Sequence, residues 1–273
     1  MSAGPDDLGS ALVRPVASGS MEPIILSPNQ RFEDHAELGA LPSAATIWLE
    51  KPEGDLAPLL EALAAAPQTQ TTHLVIGQRA FDPKRFEFPE DPLIDADRSA
   101  LLAAAFPALE RLEVHGWALF DTLCHPTVRE LEFRGCPAWA PGTWSGHDPD
   151  SMVFPELRSL IWNDAVDAHG LSAFEADGLA WALDRRQVPK LTEIEAPDAG
   201  ADQLGSKSVK AKYGVPLARI RLARYWGTEK LAVRPERLEL MRVEANVDYA
   251  ALAKRYSIEI AVIEGGVARP VAG

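Results

Sequence analysis

One phrase recurs through this chain and constrains its fold more than anything else in it. FPALERLEV (Phe106–Val114), HPTVRELEF (His125–Phe133) and FPELRSLIW (Phe154–Trp162) share a single frame: apolar or His, Pro, x, apolar, x, x, Leu, x, apolar. VPKLTEIEA (Val188–Ala196) fits it with a weaker last position, VPLARIRLA (Val215–Ala223) with the proline one place nearer the leucine, and RPERLELMR (Arg234–Arg242) keeps the final Leu-x-Leu. TIWLE, HLVIG and SIEIAV are weaker copies. With the middle apolar residue as marker, the copies fall at 47, 74, 112, 131, 160, 194, 220, 238 and 258. Self-similarity at spacings of this size is the signature of a repeat architecture.

Each copy ends in alternation, as in Arg111-Leu112-Glu113-Val114-His115. A period of two predicts a strand with one buried face. Between the strands, Asp55–Ala66 places leucines at 56, 59, 60 and 63, a helical stripe with Asp55 as a candidate N-cap. Asp97–Ala105, Ser172–Arg186 and Asp248–Arg255 read the same way. The expected fold is α/β: an open solenoid of about nine irregular βα units spanning residues 45–264, with a parallel sheet on its concave side. Residues 1–44, rich in Gly, Ser and Pro, read as a lead-in and N-terminal cap, and residues 265–273 as a loose tail.

The frame resembles the leucine-rich-repeat superfamily, whose motif is L-x-x-L-x-L-x-x-N/C-x-L. The clearest match is Val128-x-x-Leu131-x-Phe133-x-x-Cys136. Elsewhere the Asn/Cys slot holds Trp117, Ala165, Ala199, Tyr225, Val243 and Ile263, so the asparagine ladder is absent. The phrasing is similar to that of little-characterised bacterial proteins with irregular leucine-rich repeats. The resemblance implies an architecture and, by analogy, a binding surface; it implies no reaction.

A closed parallel βα barrel is the structural alternative, because a similar number of βα units builds one. Barrel strands are covered on both faces and read as continuous apolar runs. Here one strand face carries Arg111/Glu113/His115, Glu130/Glu132/Arg134, Glu193/Glu195 and Arg219/Arg221. Burying so many charges costs several kcal/mol each unless they are paired. That cost favours the open form.

The 273 residues carry 27 Lys and Arg against 40 Asp and Glu, a net charge of −13. This opposes a sequence-independent grip on nucleic acid or an anionic membrane. The locally basic stretch from Lys207 to Lys230 does not reverse it. No apolar run approaches the roughly 18–20 residues that span a bilayer, and the N-terminus lacks the pattern of a signal peptide. With two cysteines only, the chain has no disulfide framework, and a cytoplasmic location is expected.

Chemistry is hard to find. Cys124, His125, Cys136 and His147 fit no zinc spacing. There is no nucleophile elbow and no phosphate-binding glycine loop. Glutamates two apart on one strand face suit a glycosidase in spacing, but nothing marks a pocket. The expectation is therefore a protein without catalysis, cofactor or metal, acting as adaptor, antidote or assembly subunit. Its partner is a protein, met by strand-face residues Trp48, Arg111, Glu113, His115, Glu130, Glu132, Arg134, Glu193, Glu195, Arg219 and Arg221. Trp139 and Trp144, in the Pro- and Gly-rich insertion 138–152, complete the expected surface, since exposed Trp is a frequent hot spot. The alternative function is a hydrolase-like enzyme on the closed barrel.

Overall fold

The computed structural model describes residues 24–26, 46–50, 56–77, 96–115, 123–134, 154–163, 188–200, 217–224 and 234–271. The predicted helix at Ser172–Arg186 and Trp139, Trp144 and Cys136 lie outside them. The strands are β1 (Ile24–Leu26), β2 (Thr46–Glu50), β3 (His73–Gly77), β4 (Arg111–His115), β5 (Glu130–Arg134), β6 (Ser159–Asn163), β7 (Glu193–Gly200), β8 (Arg219–Arg224), β9 (Arg237–Leu240), β10 (Glu259–Glu264) and β11 (Val267–Pro270). The helices are α1 (Ala57–Ala65), α2 (Ala96–Ala105) and α3 (Tyr249–Tyr256).

All eleven strands form one sheet in chain order. Every neighbouring pair from β1 to β10 is parallel, and β11 closes the series antiparallel to β10. The sheet is open: its first and last strands do not pair. The closed barrel is thus not formed.

The recurring frame has a local cause. Leu109 N–H bonds to Phe106 O at 3.1 Å, Leu157 N–H to Phe154 O at 3.2 Å, and Leu191 N–H to Val188 O at 3.2 Å. These are four-residue turns with proline second, where its fixed φ is already correct. The turn then delivers the chain into its strand through a second repeated device. Two successive amides converge on one carbonyl of the preceding unit: Arg129 and Glu130 on Glu110 O, Arg158 and Ser159 on Arg129 O, Thr192 and Glu193 on Arg158 O. Each unit is thereby placed in register by the unit before it.

Register aligns the apolar positions into rows. Ile47, Leu74, Leu112, Leu131, Leu160, Ile194, Ile220, Leu238 and Ile260 are Cα partners along the sheet, and all are buried. The last marker is therefore Ile260, two places beyond the expected Ile258. Ser257 ends α3 in the left-handed region (φ 55°) and delays the strand. Leu59, Leu60 and Leu63 of α1, Leu102 of α2 and Leu252 of α3 join the same apolar cluster. The described helices therefore pack on the face that carries these rows, and the opposite face carries most of the charged strand side chains.

Three sequence expectations shift. The N-cap of α1 is Leu56 rather than Asp55, with proline in the first turn. Within residues 1–44, Ile24–Leu26 forms β1 on the edge of the sheet. The stretch from 265, expected as a loose tail, turns at Gly265 and Gly266 and returns as β11. Both glycines have positive φ (57° and 80°), as a two-residue hairpin turn of the primed type requires.

Candidate interaction face

On the face away from the helices, register builds two rows across β2–β10. The first runs Thr46, His73, Arg111, Glu130, Ser159, Glu193, Arg219, Arg237, Glu259. The second runs Trp48, Val75, Glu113, Glu132, Ile161, Glu195, Arg221, Glu239, Ala261. Neighbouring strands stand about 4.8 Å apart, so charges along each row are within reach of one another.

Two ionic clusters result. In the first, the Arg111 guanidinium reaches Glu130 at 2.8 Å, Glu113 at 2.9 Å and Glu132 at 2.6 Å, while His73 Nε2 lies 2.8 Å from Glu113 Oε1. In the second, Arg221 binds Glu195 and Glu239, each at 2.8 Å, and Arg219 binds Glu193 at 2.5 Å. Arg237 holds the other oxygen of Glu239 at 2.9 Å and Glu259 at 3.2 Å. Burial by itself would lower the Arg219 pKa; its hydrogen bond to Glu193, with the charges of Glu193, Glu239 and Glu195, outweighs that and raises it. Between the clusters, β6 contributes uncharged Ser159 and half-buried Ile161.

Of the expected binding residues, Trp48, Arg111, Glu113, Glu130, Glu132, Glu193, Glu195, Arg219 and Arg221 come together on this face. His115 and Arg134 are direct register partners one step further along β4 and β5; their side chains, like Trp139 and Trp144, are outside the described part. The expectation that the strand-face residues stand exposed is corrected for two of them. Glu113 is 6% exposed and Glu132 1%. Both accept from the guanidinium of the half-exposed Arg111, so they act as internal counter-ions more than as contact groups. Trp48 is half-buried. Its indole N–H donates to Gly77 O at 3.0 Å, across a position without a side chain and with φ of 124°.

His73 and Glu239 fall on the same face but are not among the expected binding residues. Register shows Glu239 to be the hub of the second cluster, 4% exposed and touched by three arginines. The signal was present in RLEL (Arg237–Leu240). Reading it required knowing that β8 lies alongside.

Of the cysteine and histidine candidates, Cys124 and His125 are packed into the fold, while Cys136 and His147 lie outside the described residues. Ser99 Oγ accepts from Cys124 N at 2.8 Å and donates to Cys124 O at 3.0 Å, tying α2 to the loop before β5. His125 is fully buried in the slot that Phe106 and Phe154 fill in neighbouring units. Burial lowers its pKa from 6.5 to about 4, against a hydrogen bond with the Phe106 backbone that raises it. Among the described residues, no three His, Cys, Asp or Glu side chains converge as a metal site would require. Nor is any helix there long and apolar enough to cross a membrane.

No protein-family description matches the chain, and no curated protein matches it in sequence. A crystal structure of a Bacteroides fragilis protein, solved as a structural-genomics target, is similar in fold. Its TM-score is 0.50 at 12% identity, over 83% of this chain and 67% of that one. At that identity the likeness extends to the path of the chain alone. What structure and comparison establish together is an α/β protein built on an open, mostly parallel sheet.

Proposed function

We propose that this protein is a non-catalytic interaction module: an irregular leucine-rich-repeat-like solenoid of about nine βα units that binds a protein partner through its charged strand face. The observation that carries the reading is the pair of ion-patterned rows spread over β3–β10, on the side of the sheet opposite the helices. Such rows give a partner a fixed pattern of potential, which steers encounter and sets register. Because Glu113, Glu132 and Glu239 are internal counter-ions, the contact surface is formed by their neighbours: Glu130, Ser159, Ile161, Glu193 and Glu259. Adaptor, antidote and assembly subunit are all roles open to such a module, and the expected location is the cytoplasm.

The test is affinity capture from native lysate, with light scattering on the eluted complex and an Ile161→Arg variant as control. Ile161 sits between the clusters, so the substitution adds bulk and charge without breaking an ion pair. A stoichiometric partner lost in the variant, with the melting temperature unchanged, supports the face. A partner retained by Ile161→Arg moves binding elsewhere. Recovery of a lone protein counts against the module.

A further inference from the structure

We infer that the C-terminal edge of the sheet is closed to strand addition, and that Pro270 is the residue that closes it. In an antiparallel pair, successive residues alternate between pointing their N–H and C=O at the partner and pointing them away. The phase is fixed here by Val271 N–H bonding to Ile260 O at 3.0 Å. Val271, Arg269 and Val267 therefore point inward at β10, while Ala268 and Pro270 point outward. Proline has no N–H. The outer edge of β11 thus presents one amide donor, at Ala268, where a regular strand of that length would present two.

The hairpin matters because of what it covers. Without it the edge strand would be β10, EIAVIE, whose residues 260, 262 and 264 direct their backbone groups toward β11. A six-residue edge with an apolar centre is a template for another chain. The two-glycine turn folds back a four-residue strand whose outer edge keeps one amide donor of two. Arg269, 69% exposed and paired with Glu264 at 3.3 Å, adds charge to that edge. Short length, charge and proline are the means by which natural edge strands avoid pairing. Growth of the sheet from one copy into the next is therefore blocked at this end. This holds whether or not the strand face binds a partner.

Amide exchange on the full chain, followed residue by residue, tests the phase. The Ala268 amide should exchange on the order of tenfold or more faster than those of Arg269 and Val271. Sedimentation then compares the wild type with Pro270→Val and with a chain ending at Glu264. Pro270→Val restores the second donor, and the truncation bares β10. Both should show concentration-dependent association beyond that of the wild type. An Ala268 amide as protected as Arg269, or a Pro270→Val chain that sediments like the wild type at every concentration, overturns the inference.

Discussion

His125 makes the stability of this fold depend on acid in a way that can be isolated. It is fully buried, and burial holds its pKa near 4 against an ordinary 6.5. A histidine whose folded pKa is depressed is neutral in the fold and binds its proton more readily when unfolded. Its full stabilising contribution is present above pH 6.5. It is lost as pH falls from 6.5 toward 4, and below 4 the loss is constant. A depression of about 2.5 units is worth about 3.4 kcal/mol at 1.36 kcal/mol per unit, of which about 3 is gone by pH 4. His125→Phe removes the titration and places in the slot the ring that Phe106 and Phe154 supply in neighbouring units. Urea unfolding of both proteins from pH 8 to pH 4 is the assay. Carboxylate titration is common to both and cancels in the difference. The variant should gain about 3 kcal/mol on the wild type across that range, which for a chain of this size is a melting-temperature gap widening by about 6–12 °C. Curves that stay parallel from pH 8 to pH 4 would refute a buried, uncharged His125.

Arg221→Met should destabilise the protein by about 3 kcal/mol, because Glu239 remains buried with less of its counter-charge; Arg221→Met/Glu239→Leu should recover most of that loss. Chemical denaturation of the single and double variants checks both. Asp248→Ala should cost about 1 kcal/mol, since the Asp248 carboxylate accepts the Ala251 amide at 2.9 Å at the start of α3. Helix protection in amide exchange, localised to 249–256, is the readout.

The strands were legible because their frame is a turn with a chemical cause. A proline with its apolar partners two and five residues on is a pattern the eye can count, and the alternation after it marks one face. Phe106, Phe154 and Val188 perform the same act at the same place. The identity of each strand's neighbour was not legible residue by residue, and charge burial depends on it. Glu132 and Glu193 look alike in sequence. Register puts the first in the second row, with Glu113 and Glu239, where it is 1% exposed, while the second falls in the first row and stays partly open beside Arg219. Both ends were missed for a different reason. IIL is too short to announce a strand, and Gly265-Gly266 after EIAVIE is a hairpin signal that its place near the terminus disguised.

The strict chain order of the sheet has a kinetic consequence. Each strand from β2 to β10 hydrogen-bonds only to the strands immediately before and after it in the sequence. No unit must wait for a distant segment to be found, so loop-closure entropy is met in small instalments along the chain. Ordering can start wherever a turn and two strands first meet and then spread both ways, like a zip with many possible starting teeth. A longer connection between two units delays one tooth and leaves the others in step. This is how a chain whose markers stand anywhere from 18 to 38 residues apart closes into one continuous sheet.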